Sequence, residues 1–335
     1  MIYSVQNIYY FTGVKLSTGI LLILNDIKYL LVDSRYYELA KNKAVDCNVV
    51  KANDFYKEYM TLFDKHKIKR ILVEGNIMSV CYYNELEKNM PKIKVNPFEL
   101  DDILKDLRKI KSPLEIQKIK NAQKLTERAF EHVLALIKPG IRELDIALEI
   151  EIFIKRNGGS LAFDTIAVSG KNSAMPHGVP TEKPIEPGDF LTLDFGARLD
   201  GYCSDMTRTL GIKTLSDKQI KVYNTVLEAQ EKALEKIKPG QVCKKIDDAA
   251  RNFINKTEFS EKFEHGLGHG VGIQVHEEPN FNVSCEELLY PGMVLTVEPG
   301  IYLEGEFGVR IEDMVIITQT GYENITIVPK ELLIL

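Results

Sequence analysis

Two apolar runs, Gly19-Ile-Leu-Leu-Ile-Leu24 and Ile27-Lys-Tyr-Leu-Leu-Val32, flank Asn25-Asp26 and predict a β-hairpin. Asp33-Ser34 then reads as the cap of a helical pattern reaching Ala44. Residues 69–74 have the pattern of another strand and residues 76–90 that of another helix. A charged helix is predicted over residues 101–111, and Ser112-Pro113-Leu-Glu115 carries a helix-start signal, a serine cap with proline in the first turn. From residue 113 to 138, Ile116, Ile119, Leu125, Ala129, Val133 and Leu136 keep a helical period. The pattern divides the chain near residues 108 to 112, into a small α/β unit (1–108) and a longer unit (109–335).

The longer unit repeats itself. Ala129-Phe-Glu-His-Val-Leu-Ala-Leu-Ile-Lys-Pro-Gly140 reappears as Ala229-Gln-Glu-Lys-Ala-Leu-Glu-Lys-Ile-Lys-Pro-Gly240, and each copy restarts as a second helix through Glu143-Leu-Asp145 or Lys245-Ile-Asp247. Glu186-Pro-Gly-Asp-Phe-Leu-Thr-Leu-Asp194-Phe-Gly196 matches Tyr290-Pro-Gly-Met-Val-Leu-Thr-Val-Glu298-Pro-Gly300. His177-Gly-Val-Pro180 likewise matches His276-Glu-Glu-Pro279. Three blocks in one order predict two halves, each a helix pair followed by strands. Their strands would join into one antiparallel sheet with helices over one face, an α+β domain with pseudo-two-fold symmetry.

The repeat also organises the carboxylates. Residues 190–197 and 202–212 alternate as strands about Asp200-Gly201. A two-residue turn there sets Leu199 opposite Tyr202, Gly196 opposite Asp205 and Asp194 opposite Thr207. Asp194 and Asp205 then lie diagonally on one face, roughly 7–8 Å apart, with Leu191, Leu193 and Phe195 on the buried face. Arg198 points outward, so two like charges are left to repel unless a cation joins them, and Gly196 leaves room for one. In the second half, an apolar strand over residues 293–297 ends in Glu298, and another over 308–317 carries Arg310 and Glu312 on one face and Asp313 on the other.

Symmetry converges Asp194, Asp205, Glu298 and Glu312. Four carboxylates exceed what general acid–base catalysis needs and suit two divalent ions about 3.5–4 Å apart. The stretch Glu264-His265-Gly-Leu-Gly-His269-Gly-Val-Gly-Ile-Gln-Val-His276 sets three histidines on a glycine-rich ribbon. His269, which has no counterpart in the first half, supplies an imidazole. The implied ligands are Asp194, Asp205, His269, Glu298 and Glu312, a set that favours Mn2+, with Co2+, Fe2+ or Zn2+ as alternatives.

Bulk properties narrow the setting. A net charge of −5 supplies no electrostatic reason for a nucleic acid or anionic membrane partner. Five scattered cysteines without a C-x-x-C argue against a disulfide framework and for a reducing compartment. The first residues lack the pattern of a signal peptide, and the longest apolar run is too short to span a bilayer. A cytoplasmic location is the expectation. His66 is read as a solvated surface residue and His132 as surface or packing.

Asp194-Phe-Gly with Asp205-Met-Thr-Arg-Thr, His265-Gly-Leu-Gly-His269-Gly-Val-Gly, Thr296-Val-Glu298-Pro-Gly and Val309-Arg-Ile-Glu312-Asp together resemble the pita-bread metallopeptidases. That family includes methionine aminopeptidase, aminopeptidase P and prolidase, and the resemblance covers about residues 110–335. Asn7-Ile-Tyr-Tyr-Phe-Thr-Gly13 and Asp33-Ser-Arg-Tyr36 are similar to the creatinase-type domain that precedes the proline-specific members. The resemblance implies a creatinase-like N-terminal domain, a pita-bread catalytic domain, and hydrolysis of the Xaa-Pro bond at the N-terminus of peptides or in Xaa-Pro dipeptides. It implies that Asp194 chelates one metal, His269 and Glu298 the other, and that Asp205 and Glu312 bridge them. Glu298 is implied as proton acceptor. His177, His276 and Arg310 match positions that bind substrate or move protons, and His265 and Tyr302 match substrate-pocket positions. A homodimer or higher homo-oligomer is implied too. The extra domain disfavours a methionine aminopeptidase, and retention of all five ligands disfavours a non-catalytic binding module.

Overall fold

Asn25 and Asp26 both take left-handed φ angles, 49° and 66°, and the turn they make joins Ile20–Leu24 to Ile27–Val32 as the expected antiparallel hairpin. The computed structural model describes residues 1–335, and the packing separates Met1–Arg108 from Lys109–Leu335. In the first unit, Asn48–Lys51 adds in parallel beside Ile27–Val32, and Arg70–Leu72 pairs in parallel with Lys94–Asn96. Leu22, Leu31, Phe63 and Leu86 are buried in a core beneath them.

Three expectations for this unit need correction. Asp33-Ser34 does not cap a helix. Asp33 accepts from the Arg35 backbone at 2.9 Å and pairs with its guanidinium at 2.6 Å, so the helix starts uncapped as Tyr37–Lys43. The next helix is Val80–Asn89, not 76–90, because Asp101 Oδ2 takes the N–H groups of Gly75 and Asn76 (2.7 and 3.1 Å) and Ser79 becomes the cap. His66 is half-buried and bonded to the Tyr29 hydroxyl at 2.9 Å, rather than solvated.

In the second unit, Ser112 and Glu115 form a reciprocal capping box at the start of Pro113–Leu134. The helix ends at Leu134, short of the expected Lys138, the last residue before Pro139 and itself disfavoured from helical geometry. Gly140 and Gly240, at φ 94° and 79°, turn the chain into the second helices, Glu143–Arg156 and Cys243–Ile254. Leu191, Leu193 and Phe195 bury their side chains against Ile146 and Ile150, while Leu295, Val309 and Ile311 bury theirs against Val226 and Ile246. Each such side chain contributes about 1.5–3 kcal/mol, and each half has its own core.

The strands do not form one continuous sheet, as expected, but two main antiparallel ladders. One contains Ile166–Ser169, Phe190–Phe195 and Met206–Gly211. The other contains Glu277–Phe281, Gly268–Gly270, Val294–Val297, Asp313–Ile317 and Tyr322–Asn324. Between them, Glu312 N–H donates to Thr207 O at 3.1 Å, while the Thr209 hydroxyl bridges the N–H and carbonyl of Arg310. A single backbone bond and the Thr209 hydroxyl replace the ladder there, and the stretch 308–317 divides into Phe307–Arg310 and Asp313–Ile317. The first pairs with Gly300–Leu303 and the second with Val294–Val297. The stretches 190–197 and 202–212 are interrupted as well, at Gly196 and at Ser204-Asp205. A Cβ on Gly196 would lie 1.9 Å from Ser204 O. Gly196 is therefore demanded by a close backbone approach, not by room for a cation.

Candidate metal centre and active site

The interruptions are where the acids sit. The turn at Asp200-Gly201 (φ 48° and 81°) sets Leu199 opposite Tyr202, and Asp194 pairs with Thr207, the register expected. Asp194 lies near the end of its strand, Asp205 precedes Met206–Gly211, Glu298 follows Val294–Val297, and Glu312 lies between two strands. Where a ladder stops, a side chain can leave the alternation and enter the space between halves. All four carboxylates line one cavity of about 700 Å3.

His269 reaches the same cavity from Gly268–Gly270. A Cβ on Gly268 would lie 2.1 Å from Thr296 O, and one on Gly270 would lie 2.6 Å from Glu278 O. The glycines let this ribbon fit between its neighbours, and His269 N–H is held by Thr296 Oγ1 at 3.0 Å. Its Nε2 stands 3.2 Å from Glu298 Oε1 and 3.7 Å from Asp205 Oδ2. One candidate ligand atom each from Asp205, His269 and Glu312 all lie within 4.8 Å of one another.

Burial, followed by the charge of Asp194, pushes the Asp205 carboxyl well above the usual carboxylate range. Burial and then the charges of Asp205 and Glu298 do the same to Glu312. Burial also raises Asp194, against the pull of Arg310, whose guanidinium is 2.5 Å from Asp194 Oδ2. For Glu298, burial is outweighed by the hydrogen bond and charge of His269, bringing it to about 2. The same contacts outweigh burial at His269 and raise it to about 9. Asp194 Oδ1, Asp205 Oδ1 and Glu312 Oε1 are buried and have no hydrogen-bond partner. Unpaired buried acceptors on repelling acids are costly unless a cation satisfies them. The residues fit a divalent metal centre.

The other expected site residues surround this cluster. The His276 ring is 4.3 Å from that of His269, centroid to centroid, and burial followed by the His269 charge lowers its pKa. His177 and His265 line the cavity, as does Arg310. Tyr302, expected at a substrate-pocket position, stands beside two of these lining residues. Its hydroxyl accepts from Arg310 Nη1 at 2.7 Å and bonds His265 Nε2 at 3.0 Å, so it braces both. Arg198 is not turned outward; it donates to Ile273 O at 2.7 Å. His132 stacks on Phe153 at 4.8 Å, away from the site, as expected.

Sequence reasoning missed the supports. Asp247 binds Arg251, whose guanidinium takes the carbonyls of Phe263 and His265 at 2.7 Å each and so holds the His265 segment. Their i,i+4 spacing on a helix was visible, but the same spacing marks many exposed pairs. Arg208 was visible only as part of the Asp205 motif.

Residues 117–319 match the profile of Metallopeptidase family M24. The chain belongs to this family. Residues 1–110 of this M24 metallopeptidase match the Creatinase/Prolidase N-terminal domain. The architecture is thus a creatinase-type domain followed by a pita-bread domain. A protein of Pyrococcus furiosus named Xaa-Pro dipeptidase is 39% identical, over 98% of this chain and 92% of the relative. Among solved structures, Xaa-Pro dipeptidase from Bacillus anthracis has a TM-score of 0.95 and 38% identity, covering 100% of this chain and 94% of that one. X-Pro aminopeptidase from Thermotoga maritima MSB8 has a TM-score of 0.93 and 37% identity, covering 100% and 97%. No helix of the M24 chain is long and apolar enough to cross a membrane.

Metal removal has a pH signature. Asp194, Asp205 and Glu312 have raised folded values, so each stabilises the metal-free fold below its unfolded value near 4 and loses that contribution as pH rises through the folded one. His269, raised to about 9, likewise stabilises below about 6.5 and fades as pH rises toward 9. Glu298, at about 2, contributes steadily above about 4. The chelated protein should melt at progressively lower temperature between about pH 5 and about pH 9, and divalent metal should restore it most at the alkaline end. Thermal unfolding with and without chelator measures this, and a melting temperature that rises with pH in chelator would contradict it.

Proposed function

We propose that this M24 metallopeptidase hydrolyses the Xaa-Pro bond at the N-terminus of peptides or in Xaa-Pro dipeptides. The reading rests on the four converging acids, three of them with an unpaired oxygen, and His269 in a cavity of peptide-binding size. The proline preference is supported by full-length relatives named for Xaa-Pro substrates and by the creatinase/prolidase domain.

Asp194, Asp205, His269, Glu298 and Glu312 would hold two divalent ions, Mn2+ being our first choice for an oxygen-rich set with one imidazole. When bound, such a pair lowers the pKa of water to about 7 and polarises a carbonyl. The protein's own groups do the rest. Glu298, 3.2 Å from His269 on the cavity wall, is the proposed proton acceptor. His276, with its lowered pKa, is neutral near pH 7 and can donate one N–H to the scissile carbonyl oxygen. His177, on the cavity wall, is assigned to the imino nitrogen of proline. Arg310 keeps Asp194 oriented and is itself fixed by Tyr302 and by Pro176 O. Proline brings no amide hydrogen, so the site needs no acceptor for one.

Release of the first residue from Xaa-Pro and from Xaa-Pro-Yaa, with Mn2+ added, tests the function and separates dipeptidase from aminopeptidase action. Cleavage of neither would refute the reading. His276→Ala should lower kcat about a hundredfold or more while leaving the metal content unchanged; a wild-type kcat would remove His276 from the mechanism.

A further inference from the structure

The His177 loop is held by a residue that lies outside the cavity. We propose that Glu143 is its positioning residue: the buried Glu143 carboxylate ties both feet of residues 169–181 to the Glu143–Arg156 helix and so sets where His177 stands. The inference rests on the role proposed above for His177.

Glu143 is fully buried, yet no lysine or arginine pairs with it; five donor groups do. At the first foot, Glu143 Oε1 accepts from Ser169 N–H at 2.6 Å and from Ser169 Oγ at 2.9 Å. At the second, Oε2 accepts from Thr181 N–H at 3.0 Å and Thr181 Oγ1 at 2.7 Å. Asn172 Nδ2 spans both oxygens at 3.2 and 3.1 Å. The helix start adds two returns, Glu143 N–H to Lys183 O and Leu144 N–H to Thr181 O, each at 3.1 Å.

His177 itself is exposed on the cavity wall and its ring makes no hydrogen bond to the protein. Its place is therefore set by backbone alone. Between the feet, the loop is tied at Pro176 O by Arg310 and at Ser173 Oγ by Gly308 N–H, which stabilise its middle but not its ends. A carboxylate suits the task because it is acceptor-only, with room for several donors on two oxygens. An amide in its place would turn an N–H2 group toward one foot and leave that foot's donors unpaired.

The test uses the full, metal-loaded chain. Glu143→Gln should speed amide hydrogen exchange at Ser169 and Thr181 about tenfold or more, with the Phe190–Phe195 strand unchanged. It should also lower kcat/KM on an Xaa-Pro peptide about tenfold with metal content unchanged, but by less than about twofold when His177→Asn is already present. A purely structural weakening would cost the same factor in both backgrounds, and that result, or unaltered exchange at both feet, overturns the proposal. If Glu143→Gln does not fold, Glu143→Asp, which keeps the charge but cannot reach both feet, enters the same cycle with the same expected pattern. Failure of the unsubstituted chain to cleave Xaa-Pro peptides would refute the function instead, and the exchange result alone would then decide the anchoring.

Discussion

Glu312→Gln and, separately, Asp205→Asn should each leave a folded protein that has lost bound metal and at least about a thousandfold in activity, about 4 kcal/mol of barrier. Both acids are buried beside other acids, and each has one oxygen without a partner. The amide keeps the size and, at Glu312, keeps an oxygen for the Thr207 hydroxyl at 2.8 Å. What it removes is a negative charge that repels the neighbouring acids and that a bound metal would offset. The metal-free variants should therefore melt no lower than the chelated wild type, since each has less internal repulsion. Metal analysis, circular dichroism and Xaa-Pro hydrolysis on the same preparations give the answer. Full turnover by either variant would refute the proposed two-metal centre; a lower melting temperature in chelator would show that the acids are not in mutual repulsion.

Arg208→Met should have the largest effect on stability, about 3–5 kcal/mol, because it removes the nearest partner of the buried Asp313, leaving it Asn324 and, at 3.6 Å, Lys330, and deprives buried carbonyls of their donor. At about 2–4 °C per kcal/mol for a unit of this size, the melting temperature falls by about 6–20 °C. Arg208 and Asp313 are nearly inaccessible and pair at 2.8 Å. The guanidinium also donates to the carbonyls of Thr207, Glu312, Val328 and Pro329, which ties both ladders to the C-terminal segment. Replacing both partners, Arg208→Met with Asp313→Leu, should recover part of the loss, since the Asp313 charge then no longer has to be buried, while the four carbonyls still lack the guanidinium donor. Calorimetry of the three variants in chelator separates this from metal binding. An unchanged melting temperature for Arg208→Met would mean that the pair contributes nothing net.

The convergence of Asp194, Asp205, Glu298 and Glu312 was legible because it follows from short-range rules. A left-handed two-residue turn sets a hairpin register, and a repeat transfers one half's arrangement to the other. Capping by Ser112 and the breaks at both Lys-Pro-Gly sites were legible for the same reason: cap and proline act within a few residues. The false cap at Asp33 shows the limit. Its carboxylate had a nearer partner in Arg35, and local signals do not rank competing partners.

By itself, then, the sequence determined the two-unit division, the repeat, the hairpin register that sets Asp194 opposite Thr207, and which acids and histidine could meet. Only the tertiary structure decided how the halves join, through single bonds and a threonine hydroxyl rather than a continuous ladder. It also decided that Tyr302 bonds both Arg310 and His265, that Gly196 yields to a carbonyl, and that Glu143, Asp247 and Arg208 are buried supports. The physical reason is range. Turns, caps and periodicity are fixed by neighbours along the chain, whereas the burial of a charge depends on distant partners, as Arg208 depends on Pro329, 121 residues away.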